Sequence, residues 1–279
     1  MSLNKQRGMT LIELMVAAVL SLIIVFFITN IMLSSSRTAL HSEGLAQAQE
    51  NGRFILSWLQ GNVRSAGLPY PNNVTQERIQ PFAEPCSSNV LPPADNADCS
   101  FNSDSSDVSD RLAVQRTFIN DSDLGNDSTK RDCSGTEITT IADGQIITDV
   151  YWVTTNANDS SGYSNQLMCV TYHNNKKVSG EQSIANGIDG MQVLYGVKSS
   201  ADAEYRSNVN RFVSLSDLGS NIDWSTIGAV RIAILTRSFN EQASSQNQRS
   251  YILLDAAPVT FDDSVSRHIQ STTIFLPNE

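Results

Sequence analysis

Glu13 is a lone carboxylate at the head of a run that is apolar at every position from 14 to 28 except Ser21. A carboxylate in a membrane helix costs on the order of a few kcal/mol at the bilayer centre, less near its edge, and calls for a partner. A cut after Gly8 would leave the α-amino group of Met9 one helical turn from Glu13, where it could neutralise the charge within the subunit or between neighbours. That is pairing chemistry, not catalysis. The second reactive set is Cys86, Cys99, Cys133 and Cys169. With no Cys-x-x-Cys spacing and no nearby histidine, these read as two disulfides and not as a metal centre. Three connectivities are open, of which Cys86–Cys99 with Cys133–Cys169 closes the smaller loops.

Other chemistry is absent from the pattern. His41, His173 and His268 are too scattered for a metal or acid–base cluster. No Gly-x-Ser-x-Gly elbow, His-Glu-x-x-His helix, phosphate loop or dinucleotide glycine motif occurs. No catalytic residue, metal site or cofactor is therefore expected. The stretch 120–127 gathers oxygen ligands around Gly125, but that glycine takes a ligand position of the EF-hand template and no Glu closes it. It reads as a solvated turn, and Asp104, Asp107 and Asp110 read as a solvated acidic loop.

The elements that must position Glu13 are legible. Residues 1–8 form a polar leader with Lys5 and Arg7 and no acid. Adding the flanks 9–11 and 31–33 to the apolar run gives about 25 residues, enough to cross a ~30 Å hydrocarbon layer. Gly8 precedes the run and no Ala-x-Ala follows it, unlike an ordinary secretory signal. Basic residues precede the span and none follows until Arg37, so the N-terminus stays cytoplasmic and the body is exported. No Pro interrupts 9–67, and Leu45, Ala48, Gly52, Ile55, Leu59, Val63 and Ala66 recur at helical steps as one apolar stripe. Glu50 can pair with Arg53 one turn on, and Gly67 and Pro69 stop the helix. Its span would be roughly 85 Å, of which about a third fits in a bilayer.

The 279-residue chain, 40% hydrophobic and 17% charged, can bury a real core in one large or two modest domains. A formal charge of −10 argues against sequence-blind binding to a phosphate backbone, with Lys176-Lys177 the one local basic pair singled out. β-type runs occur at 111–119, 137–141, 145–154, 166–173, 191–197, 230–236, 251–254 and 269–276. Partial alternation at 230–234 suits a sheet with one face on the helix. The expected class is α+β, a long N-terminal helix packed on an antiparallel β-sheet domain. The expected divisions are a leader (1–8), a membrane-spanning half-helix (9–33), an amphipathic half-helix (34–66), a loop-rich segment (67–110) and an antiparallel β domain (111–279).

Lys5-Gln6-Arg7-Gly8 followed by Met9-Thr10-Leu11-Ile12-Glu13 resembles the class III leader of type IV prepilins and type II secretion pseudopilins. The resemblance implies a type IV pilin-like fold, cleavage after Gly8 by a prepilin peptidase, N-methylation of Met9, and docking into a filament through Glu13. The family most often has Phe where Met9 stands, and major pilins usually carry a Pro where Asn30 stands, which favours a minor subunit. Residues 50–54, Leu59 and 63–68 resemble the PilW minor pilins, and 188–196, 230–232 and 272–276 match that pattern more loosely. The interval from about Leu68 to Asn186 has no such anchor. In PilW relatives an aromatic and soon a cysteine follow the Ala-Gly pair; here Leu68-Pro69-Tyr70 comes next and Cys86 waits, so their disulfide pattern does not transfer.

The resemblance implies an inner-membrane, single-pass protein with a periplasmic globular domain, later incorporated in a surface pilus. Implied partners are other minor pilins, the major pilin, the prepilin peptidase, the inner-membrane assembly platform and a tip adhesin. Implied functions are priming of pilus assembly, twitching motility and adhesion. A type II secretion pseudopilin, a competence-pilus subunit for DNA uptake and a plain membrane-anchored periplasmic protein are the alternatives.

Overall fold

The computed structural model describes residues 9–68, 79–86, 93–103, 109–117, 131–138, 140–142, 144–155, 165–199, 209–219, 222–239 and 247–277. Helix α1 spans Leu11–Val63, 53 residues and about 80 Å. Thr10 caps its start, and Arg64 ends it in the right-handed region. Gly67, at φ 69°, then turns the chain away, and its N–H donates to the Gln115 carbonyl at 2.9 Å.

The two halves of α1 live in different surroundings. From Leu11 to Leu33 every side chain is exposed, and an 18-residue window apolar enough to cross a membrane is 0% buried. Its few polar side chains bond back into the helix: Ser21 to the Ala18 carbonyl, Thr29 to Val25 and Asn30 to Phe26, each at 2.8 Å. In hydrocarbon those groups have no water to turn to, so this internal pairing removes most of their penalty. The lower half buries Gly44, Ala48, Gly52, Ile55, Leu56, Leu59 and Val63 against the domain. Leu45, expected in the stripe, is only half-buried; Gly44 and Leu56 are buried beside the positions read from the sequence.

Eleven strands follow among the described residues: β1 Leu112–Thr117, β2 Ile146–Thr155, β3 Asn165–His173, β4 Lys176–Lys177, β5 Gln182–Asn186, β6 Ile188–Lys198, β7 Val209–Val213, β8 Ile227–Arg237, β9 Asn247–Tyr251, β10 Val259–Asp263 and β11 Arg267–Phe275. All strand pairs are antiparallel. One sheet runs β1-β2-β3-β4 with β5 also on β3, a second runs β11-β8-β6-β7, and β9 and β10 form a hairpin. Ile55, Leu59 and Val63 of α1 meet Leu112, Tyr151 and Leu167 of the first sheet and Met191, Val193, Val230 and Ile232 of the second in one core.

β8 explains why alternation in its sequence is only partial. Val230, Ile232 and Ile234 face the helix core, while Ala233 and Leu235 pack under Leu253 and Val259 near the β9–β10 hairpin. A strand covered on both faces has no reason to alternate. Four strands escaped the sequence reading. β4, β5, β7 and β10 are short and rich in Lys, Gln, Asn, Arg and Asp, so their extended form comes from the neighbour each pairs with. Conversely, 137–141 makes only an isolated bridge, Glu137 to Arg131, and its Ile138 and Ile141 join a small cluster with Ile147. The run expected at 251–254 lies earlier: β9 ends at Tyr251, and Leu254 sits at φ 50° in the following turn.

The segment expected to be loop-rich is tied into the core. Phe82 bridges Val114, is fully buried and stacks edge-on against Tyr195 at 5.2 Å. Phe101 bridges Arg111. Asp110 is not a solvated acid: it is 2% exposed and accepts from the Ser103 and Val193 N–H groups at 2.8 and 2.7 Å. Asp104, Asp107 and the 120–127 stretch lie outside the described residues.

Candidate assembly site and the domain that supports it

Gly8 lies outside the described residues, and Met9 is 71% exposed just before α1. Glu13 and Thr10 cap the helix reciprocally. Glu13 Oε2 accepts from Thr10 N and Thr10 Oγ1 at 2.9 Å each, while Glu13 N donates to Thr10 Oγ1 at 3.4 Å. Two otherwise orphaned N–H donors are thereby satisfied, and the carboxylate sits at the positive end of the helix dipole. The signal for this cap is the Thr-x-x-Glu spacing of Thr10 and Glu13, which marks a capping box in the sequence. Around this cap Leu11, Ile12, Leu14, Met15 and Val16 are all more than half exposed, an apolar cylinder that none of the described residues outside the helix covers.

The lower half-helix is seated by specific polar contacts. Asn51 Nδ2 donates to the Asn186 carbonyl at 2.8 Å, and Gln270 Nε2 of β11 donates to the Gln49 carbonyl at 2.8 Å. Gly52 makes room for this: a Cβ there would fall 2.5 Å from Gln270 Nε2. Gly52, one of the stripe positions read from the sequence, thus lets β11 approach the helix closely. Arg53 and Glu50 meet at 3.6 Å on the exposed side, each over three-quarters exposed, worth little in water.

Below this junction lies a buried charge network that sequence reasoning missed. Asp189, at the head of β6, is ion-paired with Arg267 of β11 and lies 3.7 Å from Arg237 of β8. Its Oδ1 also accepts from Asn165 Nδ2 at 2.7 Å. Arg267 in turn grips Asp263 of β10 through two bonds of 2.7 Å, and its guanidinium lies 3.6 Å from the Phe261 ring centroid. Hydrogen bonding from Arg267 is the main reason the Asp263 carboxyl titrates below its ordinary value. Burial alone would lower the Arg267 pKa, but Asp263 and Asp189 hold it above the ordinary value. Five strands, β3, β6, β8, β10 and β11, are joined at one point. The first sheet has its own pair, Arg116 Nε to Asp149 Oδ2 at 2.7 Å, with Thr171 Oγ1 donating to Asp149 Oδ1 at 2.6 Å. No sequence spacing links residues so far apart in the chain.

The cysteines pair as Cys86–Cys99 and Cys133–Cys169, and no free cysteine remains. Among the described residues no group of three or more His, Cys, Asp or Glu could hold a metal ion. Lys177 of the basic pair is bound to Glu181 at 2.9 Å, which halves that patch as an anion site.

Residues 3–29 match the family described as "Prokaryotic N-terminal methylation motif". Residues 150–278, from within β2 to beyond β11, match "Type IV Pilus-assembly protein W". A solved type IV-like pilin from Thermus thermophilus is similar at 11% identity with a TM-score of 0.37, over 84% of this chain and 97% of that one. No curated protein matches the chain. An exposed apolar helix under a methylation motif, seated on antiparallel sheets, defines a type IV pilin-like subunit, a structural and non-enzymatic class. Within its globular part residues 150–278 match the PilW family, and together with the methylation motif this supports a minor pilin of the PilW type.

Proposed function

We propose that the protein is made in the inner membrane with its domain in the periplasm. It loses residues 1–8 by cleavage after Gly8 and is N-methylated on Met9. It then joins other minor pilins in a complex that primes assembly of a type IV pilus at the filament tip, and so supports twitching motility and adhesion. The carrying observation is the pairing of a PilW domain over residues 150–278 with a methylation motif over residues 3–29. Removing Lys5 and Arg7 takes the formal side-chain charge from −10 to −12 and strips the polar flank from the span. Glu13 then acts as the docking residue. With Thr10 N–H 2.9 Å from Glu13 Oε2, the carboxylate lies beside the position at which cleavage creates the Met9 α-amino group. The exposed apolar cylinder buries laterally against neighbouring helices in the filament. The major pilin, the assembly platform and a tip adhesin are the remaining partners.

An in-frame deletion tests this by comparing surface pili and secreted enzymes with the parent strain. Loss of pili with normal secretion is expected. Intact pili with failed secretion would make the protein a type II secretion pseudopilin.

A further inference from the structure

The two disulfides of this domain sit in different chemical settings. Cys133 is 2% exposed and Cys169 fully buried, both inside the main core, where no thiolate can reach them without unfolding. Cys86 and Cys99 are only partly buried. They join two stretches that lie side by side, with Cys86 N donating to the Ser100 carbonyl at 2.7 Å and Ser100 N to the Glu84 carbonyl at 3.1 Å. Arg111, just before β1, is 2% exposed and reaches this bridge from the inside. Its Nη2 donates to Cys86 Sγ and lies 3.5 Å from Cys99 Sγ. Burial pulls the Arg111 pKa below its ordinary value, the mark of a cation held where water solvates it poorly.

We propose that Cys86–Cys99 is a thiol–disulfide exchange site, opened by dithiols of the Cys-x-x-Cys class while Cys133–Cys169 stays closed, with Arg111 stabilising the departing Cys86 thiolate. The attacking thiolate forms a bond to Cys99 Sγ, the Cys86–Cys99 bond breaks, and its electron pair leaves on Cys86 Sγ beside the guanidinium. The reductant's second thiol gives up its proton to solvent and displaces Cys99 as a thiolate from the mixed disulfide. The reductant ends as a disulfide, the bridge as two thiols or thiolates, and two electrons have moved. A leaving thiol departs faster the lower its pKa, and an adjacent guanidinium lowers it. Opening the bridge removes the cross-link between the two stretches, while the core below stays stapled by Cys133–Cys169.

The test exposes the full-length protein, in detergent micelles, to dithiothreitol for varied times, alkylates it with N-ethylmaleimide and maps modified cysteines by peptide mass. Cys86 and Cys99 are expected to be labelled at least ~10-fold faster than Cys133 and Cys169, and Arg111→Met to slow that labelling severalfold. Cys133 and Cys169 report folding in the same sample, since an unfolded variant labels all four cysteines together. Should Arg111→Met unfold, Arg111→Lys keeps a cation and is expected to open the outer bridge at near the parent rate. Equal labelling of the two bridges in the parent protein overturns the proposal. So does an undiminished rate in folded Arg111→Met, or a lost one in folded Arg111→Lys.

Discussion

Glu13 and Asp189 are both carboxylates, yet their surroundings set them different tasks. Glu13 closes its own helix cap with Thr10 and faces outward on an exposed stem. Glu13→Ala is expected to be cleaved and inserted normally but to fail to co-purify with partner minor pilins; normal co-purification removes its docking role. Asp189 is fully buried between two arginines, and a buried pair is weak as a source of stability but severe when broken. Asp189→Ala leaves Arg267 and Arg237 with a lost counter-charge and is expected to destabilise by about 3–5 kcal/mol in denaturant titration. Asp263 adds a pH signature. Its folded pKa lies below the unfolded one, so its contribution is present above the unfolded value and is lost as pH falls through the folded one. Stability should therefore decline below about pH 4, and Asp263→Asn should flatten part of that decline in thermal scans. Neither arginine partner was legible in the sequence, because Asp189 and Arg267 are adjacent only after β6, β8 and β11 have paired.

At the scale of elements, α1 is one helix under two rules. Its upper half needs only continuous apolarity, which any reading of the chain reveals. Its lower half obeys a helical period because one side meets two sheets. Ile55→Ala, at a fully buried position, is expected to cost about 3 kcal/mol, against less than about 0.5 kcal/mol for Phe54→Ala, a residue 58% exposed; urea unfolding compares them. The disulfides rank similarly by loop size. Removing Cys133–Cys169, separated by 36 residues, is expected to cost about 4 kcal/mol, and Cys86–Cys99, separated by 13, about 3 kcal/mol on the loop-entropy estimate. Strands carrying β-branched and aromatic residues, such as β2, β3 and β6, were visible in the sequence. The polar strands β4, β5, β7 and β10 were not, since a half-covered strand takes its conformation from its partner.

The whole molecule is a helix of about 80 Å whose exposed upper half is apolar and whose lower half is packed on an acidic domain. Its formal charge of −10 and the Lys177–Glu181 pair lead to the expectation that double-stranded DNA is not retained at 0.15 M salt in a binding assay. Binding that fell steeply with rising salt would instead favour a competence role. By itself the sequence determined the methylation motif, the long apolar run, the helix and its inward stripe, because each is written in consecutive or regularly spaced residues. It also pointed to an antiparallel domain, since short β-type runs recur without intervening helices. Only the tertiary structure decided how the sheets divide and which side of β8 meets the hairpin. The burial of Phe82 and Asp110 from a segment that reads as loop, and the meeting of Asp189 with Arg267 and of Arg111 with a disulfide, were also decided there. Each of these rests on contacts between residues distant in the chain, and local propensity carries no record of which distant partner will arrive.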